Sequence, residues 1–158
     1  MSAPPTFDLI RLTLDARGVC TLLLNRPKVK NATSHQMYVE FADALDWCTA
    51  DARCNVVIVT GAGDYFSSGA DLRDKDTQKW FGTPSADAPV GRFMTTVHHF
   101  PKPLIAAVNG PAVGVGVTLL PHCARRDFAE HTFFSDRARC MCTAMARMLI
   151  PAECSAVS

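Results

Sequence analysis

The fold class this sequence predicts is an α/β domain, in which buried strands alternate with helices. Three observations carry the expectation. Two short apolar runs, Val56 to Thr60 and Leu104 to Val108, have the length and composition of strands buried in a parallel sheet. Segments with helical spacing separate them from each other and from an N-terminal hairpin. Each run ends in a glycine-containing loop, Gly61-Ala62-Gly63-Asp64 after the first and Asn109-Gly110-Pro111 after the second.

Taken in order, Ile10, Leu12 and Leu14 alternate with Arg11, Thr13 and Asp15, the pattern of a half-buried strand. Arg17-Gly18 turns this strand into the apolar run Val19 to Leu24, completing a hairpin. Arg26-Pro27 breaks the second strand, and Ser34 can cap a helix whose Met37, Phe41, Leu45 and Cys48 share one face and which ends near Asp51. Residues 82 to 89 read as a surface loop and 92 to 99 as a short helix. Ala112 to Leu120 is apolar enough for a buried helix, closed by Pro121. The order of strands and helices implies right-handed crossovers. After Pro121 the character changes: the last 38 residues hold five Arg, no Lys and four of the seven Cys. The expected division is a core over 1–120 and a divergent tail over 121–158, helical or poorly ordered.

Composition excludes several classes of function. With 158 residues, 48% of them hydrophobic, one domain with a real core is expected. A net charge of +1, from 16 basic and 15 acidic residues, gives no broad field for nucleic acid or an anionic membrane. No apolar run approaches the roughly 18 to 20 residues that span a bilayer, and Met1-Ser2-Ala3-Pro4-Pro5 has neither a secretory core nor an Arg-rich transit helix. An intracellular, soluble protein is the expectation, with no targeting signal to choose between peroxisome and mitochondrion. The seven cysteines, with no secretory signal beside them, read as reduced thiols. His122, Cys123, His131, Cys140 and Cys142 contain no CxxC pair or recognised His spacing, so no metal is expected.

Two segments resemble the crotonase (enoyl-CoA hydratase/isomerase) superfamily. One is Phe66-Ser67-Ser68-Gly69-Ala70-Asp71-Leu72; the other runs from Lys102-Pro103-Leu104 through Asn109-Gly110-Pro111-Ala112-Val113-Gly114. Leu24-Asn25-Arg26-Pro27 and Asn31-Ala32 upstream add to the likeness, which covers about residues 7 to 120, with a weaker echo at 129–134. The resemblance implies a crotonase-like fold of ββα repeats and layered sheets with helices, of which this chain carries the N-terminal part. It also implies a coenzyme A thioester as substrate, no separate cofactor, and a homotrimer. The family domain continues for on the order of a hundred further residues, so a truncated or altered chain is expected.

The chemistry suits these residues. A thioester that becomes an enolate gathers charge on its carbonyl oxygen, and two preorganised backbone N–H groups in a dry site can hold it, each worth roughly 3 to 4 kcal/mol. By resemblance Ala70 supplies the first donor and Val115 the second, within one residue. Ser68, Gly69, Ala70, Asp71, Leu72, Gly114, Lys28, Lys30 and Ala32 border the substrate, the two lysines near the phosphates of coenzyme A. His35, His98 and His99 read as surface or packing histidines without a catalytic role.

Hydratases of the family need two carboxylates for acid and base work on a water molecule. The positions corresponding to them are Thr118 and Ala138. Threonine at the first, in Val117-Thr118-Leu119-Leu120, is similar to the peroxisomal-type Δ3,Δ2-enoyl-CoA isomerase branch, which uses one glutamate. That glutamate is expected near Ala146; the nearest carboxylate in a similar context is Glu153, in Pro151-Ala152-Glu153-Cys154-Ser155, which taken alone reads first as a solvated tail residue. The resemblance therefore points first to an enoyl-CoA isomerase of fatty-acid β-oxidation. The alternatives are a catalytically incompetent relative that binds acyl-CoA or a partner subunit, and a hydratase.

Overall fold

In the computed structural model, residues 3–80 and 88–129 are described. They form one five-stranded sheet in the order β1-β2-β3-β4-β5. β1 (Ile10–Leu14) and β2 (Val19–Leu24) are the expected antiparallel hairpin, Leu12 opposite Leu22. Its turn is closed by Asp15, which accepts from the backbone N–H of both Arg17 and Val19 at 2.9 Å. Gly18 takes φ +84°, and a Cβ there would meet the Asn55 side chain at 2.2 Å.

α1 (His35–Ala50) starts where the capping signal placed it, with the Ser34 hydroxyl accepting from Met37 N at 3.3 Å. Its buried residues include Met37, Phe41, Leu45 and Cys48, the predicted stripe. β3 (Val56–Gly61) then pairs in parallel with β2, and β4 (Leu104–Val108) in parallel with β3. Between them lie α2 (Lys75–Trp80) and α3 (Pro89–His98). α3 packs on α1 through Phe93, which meets the rings of Tyr38 and Phe41 edge-on at 5.4 and 4.9 Å. Arg92 reaches from α3 to Asp43 and Asp46 on α1, at 2.7 Å to each.

Alternate residues of the central strands, among them Cys20, Leu22, Val57, Val59, Leu104 and Ala106, are buried in one core cluster with α1 and α3. The opposite face, including Leu23, Ile58 and Ile105, is only half-buried.

Three elements differ from expectation. α2 carries mostly polar residues, so no apolar stripe announced it; Asp74 organises its start by accepting from Thr77 Oγ1 and from His35 N, both at 2.7 Å. The helix expected over Ala112 to Leu120 shrinks to α4 (Val115–Thr118), followed by a 3-10 turn at Leu120–His122. The backbone before it is spoken for, because Val113 N donates to Ser67 O at 2.9 Å and Gly114 turns at φ +54°. Finally, β5 (Arg125–Phe128) extends the sheet past residue 120, parallel to β4. All four of its residues are exposed, so hydrophobic patterning carried no trace of it. The proposed tail from 130 onward lies outside the described residues.

Candidate active site

Three segments that the sheet brings to the C-terminal ends of β2, β3 and β4 are laced into one layer. Thr33 pairs with Ala70 and Ser67 with Ala112, both in parallel. Thr33 N donates to Gly69 O at 2.8 Å, and Asp71 N donates to Thr33 O at 2.9 Å. In such a parallel bridge the residue between the two bonds turns its own N–H away from its neighbour. Ala70 is that residue, and among the described residues its N–H has no acceptor.

Ser67 ties the layer to the second segment: its N–H donates to Pro111 O at 3.3 Å and its carbonyl accepts from Val113 N. Its buried hydroxyl donates to Asn31 O at 3.0 Å and accepts from Gly69 N at 3.1 Å. Glycine is required where the segments touch. Gly69 sits at φ +91°, and a Cβ on it would lie 2.9 Å from Val113 O; a Cβ on Gly116 would lie 2.9 Å from Ser67 Cβ. A Cβ on Gly114 would stand 3.6 Å from Gly69 Cα, so Gly69 and Gly114 face each other directly. Val115 opens α4, and as the first helical residue its N–H has no intrahelical acceptor and none elsewhere among the described residues. Both Ala70 and Val115 are half-buried.

The other expected site residues join the same layer, except Glu153, which lies outside the described residues. Lys28 stands exposed in a 3-10 turn, Pro27–Val29. Lys30, in the left-handed conformation at φ 55°, rests its ammonium 4.7 Å from the centre of the Tyr65 ring. Its carbonyl accepts from Ser68 N at 2.9 Å, which joins the lysine loop to the glycine loop. Ala32 is buried, and Leu72 is 58% exposed at the lip of the layer. The Asp71 carboxylate is engaged by Arg26 at 2.9 Å. Thr118 is buried and donates its hydroxyl to Val115 O at 3.1 Å, holding the first turn of α4. Ala138 lies outside the described residues.

These are the segments on which the resemblance rested, and comparison with known proteins decides the family: the profile described as enoyl-CoA hydratase/isomerase matches residues 15–144. The chain belongs to the enoyl-CoA hydratase/isomerase family. Among its relatives, mouse peroxisomal enoyl-CoA delta isomerase 3 is 37% identical over 87% of this chain and 42% of its own length. Rat enoyl-CoA delta isomerase 2 is 42% identical over 77% of this chain and 30% of its own. Among solved structures, Pseudomonas aeruginosa OdaA superposes with a TM-score of 0.72 at 42% identity, covering 82% of this chain and 51% of that one. The chain thus spans less than half the length of these two curated relatives and about half that of the solved structure.

Within this enoyl-CoA hydratase/isomerase fold, three residues position the layer without having been assigned a role from sequence. Asn31 is fully buried at φ 52°; its carbonyl oxygen accepts from Arg26 N at 3.0 Å, and its amide donates to Ala62 O at 2.9 Å and Tyr65 O at 2.7 Å. Arg26 extends one guanidinium nitrogen to both Ala32 O and Asp71. Asn109 accepts from Gly61 N at 2.9 Å and donates to Gly63 O at 2.8 Å, fixing the turn that follows β3. All three lie in segments that carried the family resemblance, and a polar residue within a quoted motif was the signal available.

His35 was given no role; its Nδ1 is buried, with no hydrogen-bond partner among the described residues. An open groove of about 540 Å³ runs along β1 and the segment before it, lined by Pro4, Phe7, Leu12 and Asn25 among others. It contains none of the candidate site groups. Among the described residues no helix is long and apolar enough to cross a membrane.

Proposed function

We propose that this chain handles an acyl-CoA thioester as an enoyl-CoA isomerase of the Δ3,Δ2 type, the N–H groups of Ala70 and Val115 holding the carbonyl oxygen as it becomes an enolate. The observation that carries the reading is the pair of unpartnered backbone donors flanking the contact between Gly69 and Gly114. An oxygen seated between them gains two bonds that strengthen as negative charge develops on it, which lowers the barrier to moving a proton along the acyl chain. The glycines let backbone rather than side chains form the wall. Lys28 and Lys30, on the exposed loop bonded to Ser68, stand where coenzyme A phosphates can be met in solvent. The proton itself needs a carboxylate, for which Glu153 is the candidate. The site residues and the fatty-acid substrate class rest on this reading, as do a trimeric assembly and a peroxisomal or mitochondrial home.

A second reading, acyl-CoA binding without turnover, is favoured by one observation: the place near which the isomerase branch carries its glutamate is Ala146 here, and the nearest carboxylate in a similar context, Glu153, comes about seven residues later. The two readings share the oxygen-holding pair and separate on chemistry. Acyl-CoA should protect the chain against thermal unfolding, and Ala70→Pro, which deletes the first donor, should remove that protection. Equal protection of both forms would overturn the assignment of the donors. Conversion of a 3-enoyl-CoA to its conjugated 2-isomer, followed optically, separates isomerase from binder, and loss of that conversion in Glu153→Gln with protection retained would mark the base.

A further inference from the structure

Away from the candidate site, three cysteines that are distant in sequence meet. Cys20 is the second residue of β2, Cys48 lies in the last turn of α1, and Cys54 lies in the loop leading to β3. Their sulfur atoms all lie within 4.8 Å of one another, and all three residues are buried. β2 and β3 run in parallel, so the trio sits at the N-terminal end of those strands and the glycine loops at the other. Six residues of strand, on the order of 20 Å, separate the two.

We infer that Cys20, Cys48 and Cys54 form a binding site for one thiophilic d10 metal ion, held by three thiolates. The geometry is close to what such an ion needs. With metal–sulfur bonds of about 2.3 Å, trigonal or tetrahedral coordination sets the sulfurs about 3.8 to 4.0 Å apart, so the present arrangement closes by less than about 1 Å. Among the described residues no fourth histidine, cysteine or carboxylate joins the group, which favours soft ions content with three sulfurs. A divalent ion on three thiolates carries one net negative charge. Lys102 sits at the same corner of the fold, its ammonium donating to Cys48 O at 2.5 Å and Asp51 O at 2.9 Å, and offsets that charge.

Binding exchanges three thiol protons for the ion. Uptake therefore strengthens as pH rises. The ion's consequence for the fold is a clamp joining β2, the end of α1 and the start of β3.

The test is titration of the reduced 158-residue chain with cadmium, then zinc, without oxygen. One equivalent of cadmium should be taken up, with thiolate-to-metal charge-transfer absorption and a raised thermal midpoint. Each of Cys20→Ala, Cys48→Ala and Cys54→Ala should weaken uptake roughly a hundredfold or more, beyond the loss from an outer-shell change. A combined Cys140→Ser, Cys142→Ser, Cys154→Ser form should bind as the parent does. Because a core variant can fail to fold, a second measurement uses the parent alone. Cadmium should slow alkylation of Cys20, Cys48 and Cys54 and leave the remaining thiols unchanged. Absence of stoichiometric uptake overturns the proposal, leaving the trio as packed neutral thiols. So does uptake that survives Cys54→Ala in a folded variant, or protection that falls on Cys123, Cys140, Cys142 or Cys154 instead.

Discussion

Replacing Asn31 by alanine removes an acceptor for Arg26 N and donors for Ala62 O and Tyr65 O in one step, at a position with no exposure to solvent. Tyr65 O keeps a bond from Asn109 Nδ2 at 3.5 Å, but each buried group left unpaired costs about 1 to 3 kcal/mol and alanine is strained at φ 52°, so a loss of roughly 3 to 5 kcal/mol is expected from denaturant unfolding. Asn31→Asp keeps the left-handed tolerance and the acceptor but turns a carboxylate on two carbonyls; it should be no more stable than the alanine form. A second expectation belongs to Thr118. With its hydroxyl donated to Val115 O and no carboxyl group of its own, it cannot replace a hydratase glutamate. Hydration of 2-enoyl-CoA, measured by loss of the conjugated absorbance, should therefore be at background, and robust turnover would show the catalytic groups to be elsewhere. At this scale the sequence was legible where a motif demands a residue type, as at Gly69 and Gly114. Arg26 stood in a quoted motif, but its role was not legible there, because its partners Ala32 and Asp71 are set by the fold.

For the elements, apolar patterning proved a good guide to whatever touches the core. β1 to β4 and α1 follow it closely, since their burial alternates or stripes as the residues do. α2 and β5 escaped because their residues are mostly or wholly exposed and are held by backbone pairing and by the Asp74 side chain. The α4 region was over-read: its residues are apolar as a buried helix would be, yet the segment before it is bound as a strand to residues 66 and 67. Capping is testable directly, because Ser34→Ala removes the acceptor for Met37 N and should cost about 1 kcal/mol. The 3-10 turn at Leu120–His122 offers a pH test. His122 faces His98 at 5.5 Å, and burial first, then the charge of His98, holds its pKa below 6.5. The unfolded chain takes the proton more readily, so this contribution is complete above about 6.5 and is lost as pH falls below it. His122→Gln should flatten the fall of the thermal midpoint with acid over that window.

In the whole molecule, one face of the sheet is sealed by α1 and α3, while Leu23, Ile58 and Ile105 on the other remain half-buried. Contiguous apolar surface of a few hundred Å² tends to find a second surface. The purified 158-residue chain is therefore expected to self-associate as concentration rises in sedimentation experiments, and a monodisperse monomer would count against this. The pairing of Ser67 with Ala112 adds a constraint in time. Closing a loop of about 45 residues costs roughly 3 kcal/mol of chain entropy, which so short a bridge cannot repay alone. It forms only once β3 and β4 have aligned the ends of that loop, and such long-range parallel pairing is slow. The layer around Gly69 and Gly114 thus has no local precursor: it should appear late in refolding and vanish early in unfolding, and on the proposed reading protection by acyl-CoA becomes a report on whether the central strands have met.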